Sequence, residues 1–208
     1  MRQRTVTSAF MLILCFACAA KSQQLISTDS KPKMRMTAVL VGSDYCTSSN
    51  LRLNLQLTFR NTGTVPVLLR KEGFFVGRYL ISRDVGDHQK GKRLVDARVE
   101  VSGFWLKENM LQDRSVDVSS FVRLAPQTTH IVPMQFHITS IDDLESSNSL
   151  GPGNYLLEIR VSTWLDTNST ASRLQNEYGG EGYLWTKSLM SDPIPITVTA
   201  QRLIKDCN

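Results

Sequence analysis

The sequence predicts an all-β fold: one antiparallel sandwich of about seven to nine short strands, with one long inserted connection. Three observations predict it. Apolar and polar residues alternate over much of the chain, the alternating runs stop at turn-forming residues, and no long segment holds a helical period. Composition agrees, because 208 residues with 41% hydrophobic content suit a globular chain and exclude a disordered, collagen-like or polytopic membrane class.

The first element is a leader. Arg2 and Arg4 precede an apolar run from Ala9 to Ala20 that ends in small residues, the pattern of a secretory signal peptide over residues 1–20. Cleavage is expected before Ala20 or Lys21, and the run is too short to span a bilayer as a mature helix. Cys15 stands where a lipoprotein signal carries leucine, which disfavours lipid attachment at Cys18. The expected product is secreted, periplasmic or held in the cell envelope without a transmembrane helix. A flexible segment, 21–33, then leads into a single domain, 34–208.

The strands follow. Leu51, Leu53, Leu55, Leu57 and Phe59 lie on one face of a strand and Arg52, Asn54, Gln56, Thr58 and Arg60 on the other. Val95, Ala97, Val99 and Val101 repeat the pattern, as do Tyr155, Leu157, Ile159 and Val161 against Glu158, Arg160 and Ser162. Weaker copies lie at Met34 to Val41, Val118 to Leu124, Val132 to Ile138 and Ile194 to Ala200. One polar face per strand implies solvated antiparallel sheets. The terminators are Asn61-Thr62-Gly63, Gly86-Asp87, Ala125-Pro126, Gly151-Pro152-Gly153-Asn154 and Asp192-Pro193. At the first, the glycine is expected to supply left-handed backbone. Ser169 to Tyr178, ending at Gly179, is the one candidate helix.

Removing the leader takes two arginines, leaving a net charge of +3 in place of +5. Lys90, Lys92 and Arg93 are the densest basic cluster and read as a solvated hairpin tip, so no nucleic-acid partner is expected. Cys46 and Cys207 are the cysteines left after the leader, and an exported chain favours their disulfide over a free thiol or an intermolecular link.

Leu57-Thr58-Phe59-Arg60-Asn61-Thr62-Gly63 followed by Val65-Pro66-Val67 resembles the opening of many bacterial immunoglobulin-like domains. Leu124-Ala125-Pro126, Pro152-Gly153-Asn154-Tyr155 and Asp192-Pro193-Ile194-Pro195-Ile196 arrive in the matching order, and the arrangement is similar to the bacterial intracellular proteinase inhibitor family. The resemblance spans Leu51 to Ala200 and implies an immunoglobulin-like sandwich, with presentation of a loop to a protease as one function. Gln127 stands where that family carries glycine.

Catalytic chemistry finds no motif. His88, His130 and His137 accompany no Gly-x-Ser-x-Gly, and His130 and His137 fall on opposite faces of one regular strand. No metal or cofactor is expected. The acidic run Asp142-Asp143-Leu144-Glu145 and the segment Asp166-Thr167-Asn168-Ser169-Thr170 read as solvated loops. The aromatics point elsewhere. Trp164 falls on the polar face of its strand, and Tyr178, Tyr183 and Trp185 follow within the long Asp166 to Met190 connection, which makes these four the candidate recognition surface. The alternative for them is a small satellite core. The function expected is a non-catalytic recognition or cell-envelope module, with proteinase inhibition as the alternative.

Overall fold

The computed structural model describes residues 31–71, 76–99, 118–138, 150–163, 168–200, 203–205 and 207. The expected leader at 1–20, most of the 21–33 segment, the acidic run at 142–145 and Trp164 lie outside them. The described elements are β1 (Met34–Thr47), β2 (Asn50–Asn61), β3 (Val67–Arg70), β4 (Val76–Ser82), α1 (Val85–Gln89) and β5 (Val95–Val99). They continue with β6 (Phe121–Leu124), β7 (Thr129–Ile138), β8 (Gly153–Ser162), α2 (Asn168–Tyr178), β9 (Tyr183–Leu184), β10 (Leu189–Met190) and β11 (Ile194–Val198).

Leucine at every second position gives β2 one apolar face, and that face is buried from Leu51 through Phe59. β2 is the centre of one sheet, ordered β1-β2-β7 and antiparallel throughout. A second antiparallel sheet runs β10-β8-β4-β5, with β11 on the same edge of β8 further along. The inward residues of both sheets form one core, in which Tyr79 of β4 stacks on Phe136 of β7 at 5.0 Å between ring centroids. This is an all-β sandwich.

β10 and β11 are one edge strand broken at Asp192-Pro193. The Ser191 hydroxyl spans the break by accepting from the Ile159 N–H at 3.0 Å, while the Ser191 N–H donates to the Ile159 carbonyl at 2.9 Å. A third, smaller sheet, β6-β3-β9, joins β3 to β9 in parallel and departs from the all-antiparallel expectation. Among the described residues the strand count rises to eleven, because β3, β4, β9 and β10 carry no clear alternation. Val67, Leu68 and Leu69 are all buried, as are Tyr79, Leu80, Ile81 and Ser82. Both faces of β3 and of this run of β4 are covered, so the period-two signal disappears there, while β9 and β10, two residues each, are too short to show one.

The Asn61-Thr62-Gly63 terminator works differently from expectation. Gly63 is not left-handed. Asn61 is fully buried, its amide donates to the carbonyls of Val65 at 2.8 Å and Leu124 at 3.0 Å, and its Oδ1 accepts from the Gly63 N–H at 3.0 Å. Glycine is needed for clearance, since a Cβ there would lie 2.7 Å from the Lys33 nitrogen and 2.9 Å from the Lys31 carbonyl. Among the described residues the left-handed non-glycine residue is Gln127, with φ of 65°.

Candidate functional site

The long connection packs as an appendage on β3. In α2, Leu174 is buried with Leu68, Phe121 and Leu184 while Ala171 and Tyr178 cover that cluster, and Arg173 pairs with Glu177 one turn on at 3.1 Å. Gln175 pins the helix to β9: its amide donates to the Gly182 carbonyl at 3.3 Å, and its Oε1 accepts from the Leu184 N–H at 2.7 Å. β9 reaches β3 through Tyr183 N–H to the Pro66 carbonyl at 2.9 Å and Trp185 N–H to the Leu68 carbonyl at 3.0 Å. Gly182 permits that approach, because a Cβ would meet the Pro66 oxygen at 3.0 Å. Between α2 and β9 lies an open groove of about 230 Å³ lined by Ser172, Gln175, Asn176, Tyr183 and Thr186 among others. That is below the usual range for an enclosed small-molecule site, roughly 300–1,000 Å³.

The three described aromatics of the expected recognition surface, Tyr178, Tyr183 and Trp185, are dispersed. Trp185 is 6% exposed and belongs to the main core, with its Nε1–H donating to the Lys187 carbonyl at 2.9 Å. This corrects its placement on an outward platform: the parallel β9–β3 pairing carries the indole inward. Tyr178 is half-buried over the satellite cluster, and Tyr183 is half-buried against the main core at the groove wall. Trp164 lies outside the described residues. The polar groove residues Ser172, Asn176 and Thr186 carried no signal in the sequence, because isolated small polar side chains on a short helix or loop are the ordinary composition of a solvated surface.

A second cluster lies under α1. Asp84 caps that helix by accepting from the Asp87 N–H at 2.8 Å, and His88 and Arg93 converge on Glu158 of β8, each 3.5 Å from its Oε2. Glu158 is 3% exposed, against the expectation that it faces solvent, and its Oε1 has no hydrogen-bond partner. Arg93 also donates to the Ser82 hydroxyl and the His88 carbonyl, each at 3.1 Å. It is therefore a bridging residue, which corrects its reading as part of a solvated tip, whereas Lys90 and Lys92 are exposed.

A third constellation forms around Cys46 and Cys207. A disulfide joins Cys46 to Cys207 across 161 residues, with 5.4 Å between the Cα atoms. The adjoining chain-end segment bridges Tyr45 in parallel at Ile204, where the Lys205 N–H donates to the Tyr45 carbonyl at 2.8 Å. Lys205 also pairs with Asp44, which meets Arg52 at 3.2 Å. The hydrogen bond from Lys205, then that from Arg52, holds the Asp44 carboxyl below its ordinary value. His137 stands beside this clasp, its Nδ1 3.9 Å from Cys46 Sγ and 2.9 Å from Asn50 Oδ1. His130 falls on the opposite face of β7, where it meets the Lys71 carbonyl at 2.7 Å.

Among the described residues no helix is long and apolar enough to cross a membrane, and no group of three or more His, Cys, Asp or Glu could hold a metal. No protein-family model matches the chain, and no curated protein matches it. A solved X-ray structure, Northeast Structural Genomics Consortium target SoR45, is similar over 85% of this chain and 94% of its own, at 9% identity and a TM-score of 0.36. A likeness of that size carries no argument about family or activity.

Proposed function

We propose that the chain is an exported, non-catalytic recognition module that engages a protein or cell-envelope partner through the α2–β9 groove, with an immunoglobulin-like sandwich as its scaffold. The observation that carries this reading is the Gln175 pin, which fixes a groove with polar walls onto the sheet through bonds to both Gly182 and Leu184. A preformed surface loses less freedom on binding than a loose loop. The sheet pairing supports the scaffold reading: β1-β2-β7 faces β11-β8-β4-β5, the strand arrangement of immunoglobulin-type sandwiches. Export is supported by the Arg2, Arg4 and Ala9 to Ala20 pattern.

The test fixes the mature chain to a support and passes over it a membrane and periplasmic or secreted extract of the source cells. The matched control is Ser172→Arg with Asn176→Arg, two exposed α2 positions. A partner retained by the native chain at least tenfold better than by the double variant, at equal melting temperature, is the expected outcome. Equal retention by both refutes the groove. Stoichiometric loss of rate in a panel of proteases, unaffected by the double variant, would favour a loop inhibitor in its place.

A further inference from the structure

We propose that the Cys46–Cys207 disulfide is a thiol–disulfide exchange site, in which His137 stabilises Cys46 as the departing thiolate and the chain-end segment is the part released. Three observations meet there. Both cysteines are partly exposed, so an external thiolate can reach the bond. His137 Nδ1, whose N–H donates to Asn50 Oδ1 at 2.9 Å, lies 3.9 Å from Cys46 Sγ, and an imidazole beside a sulfur favours its thiolate, most strongly when the ring is protonated. The chain-end segment has little apolar anchorage, since Leu203 is 80% exposed and Ile204 57%.

Among the described residues, the charged and titratable groups linked to this clasp come from four segments. They are His137 from β7, Asp44 from β1, Arg52 from β2 and Lys205 from the chain-end segment. Asp44 is the acidic member, and its charge is engaged by Arg52 and Lys205, so it does not cancel the effect of His137.

The reaction needs an external dithiol. Its thiolate attacks Cys207 Sγ, forming a mixed disulfide as the bond to Cys46 breaks, and the electron pair leaves on Cys46 Sγ next to His137. The second thiol of the reductant then displaces Cys207. The dithiol becomes a disulfide, losing two electrons and two protons, and the protein gains them as two thiols. Among the described contacts, Lys205 N–H to the Tyr45 carbonyl and the Lys205–Asp44 ion pair then remain to hold the segment. Its release uncovers the edge of β1 at Tyr45, a backbone surface open to another strand.

The experiment uses the folded, oxidised chain and dithiothreitol as the probe dithiol at pH 7 without denaturant, followed by timed iodoacetamide labelling and peptide mapping. Reduction of the native fold is expected within minutes. At pH 6.5 Cys46 is expected to be labelled about five times faster than Cys207, the net of more thiolate and lower intrinsic nucleophilicity. His137→Gln is expected to bring the two rates to parity and to move the pH midpoint of Cys46 labelling upward. Melting of the oxidised variant checks its fold, and the native chain's own pair of pH midpoints gives a readout that needs no variant. Resistance to dithiothreitol until the chain unfolds overturns the proposal, and so do coincident midpoints for the two thiols in the native chain.

Discussion

Replacing Trp185 with alanine separates a recognition residue from a core residue before any partner is in hand. The indole is 6% exposed within the main core. A buried tryptophan removes on the order of 150–250 Å² from water, worth about 4–6 kcal/mol at about 25 cal/mol/Å² as an upper figure. Alanine recovers a part of this, and partial collapse of the site recovers a little more, so the expected loss is about 3–5 kcal/mol. The lost Nε1–H bond adds little, because the Lys187 carbonyl keeps its bond from the Thr163 hydroxyl at 2.8 Å. For a domain of this size the melting temperature should fall by roughly 6–20 °C, with a matching drop in urea midpoint and little change in the slope. Trp185→Phe, which keeps most of the ring volume and forgoes the same bond, should cost less than half as much. A shift under about 2 °C for the alanine variant would refute the core assignment, and with it the inward course of β9.

Three further outcomes follow from the same geometry. Asn61→Ala removes three hydrogen bonds around a fully buried side chain, and should cost at least about 3 kcal/mol in a denaturant titration. Gln127→Gly relieves a left-handed backbone whose side chain makes exposed contacts with Arg60 and Thr62, so the melting temperature should hold or rise by about 1–3 °C; a fall of several degrees would show that those contacts matter more. The lowered pKa of Asp44 contributes stability above its ordinary value of 3.8, lost as pH falls through the depressed value, whereas burial raises the Tyr79 pKa from 10.0 and contributes stability lost as pH rises through the elevated value. Melting curves of Asp44→Asn and Tyr79→Phe against the native chain should therefore show less acid-side and less alkaline-side loss respectively.

The legibility of this fold tracks how many faces of a strand are covered. β2 has a buried face of leucines and an opposite face of Arg52, Asn54, Gln56, Thr58 and Arg60, so its alternation survives in the sequence. β8 is half legible: Leu157, Ile159 and Val161 alternate as expected, yet Glu158 is buried because α1 and Arg93 close over the outer face. β4 is central to the same sheet and was illegible for that reason. Its run from Tyr79 to Ser82 is buried on both faces and reads as an apolar stretch of no fixed period. β3 repeats the lesson with α2 as the cover. The short helix α1 had its signal in the Asp84 cap, but five residues are too few for a hydrophobic period to register.

The candidate sites divide on a different line, the distance over which a contact is made. The disulfide could be read because the expected leader leaves two cysteines, which allow one intramolecular pairing, and cysteine identity survives any separation in sequence. His137 beside Cys46 could not. Ninety-one residues separate them, and they meet because β1 pairs with β2 and β2 with β7 in a register that sets Asp44 opposite Arg52 and Arg52 opposite His137, with Cys46 in a register shift between Tyr45 and Thr47. One residue of slip of β7 against β2 would turn His137 to the core face and leave Cys46 without its imidazole. Trp185 fails for the complementary reason. Local sequence places it in a glycine-rich connection of the kind that carries recognition, and the parallel pairing with β3, more than 110 residues earlier, makes it core. The groove proposed for binding therefore owes its form to Gln175 and β3, while of its lining Tyr183 stood out in the sequence and Ser172 and Asn176 are residues that no local pattern distinguishes from any solvated helix.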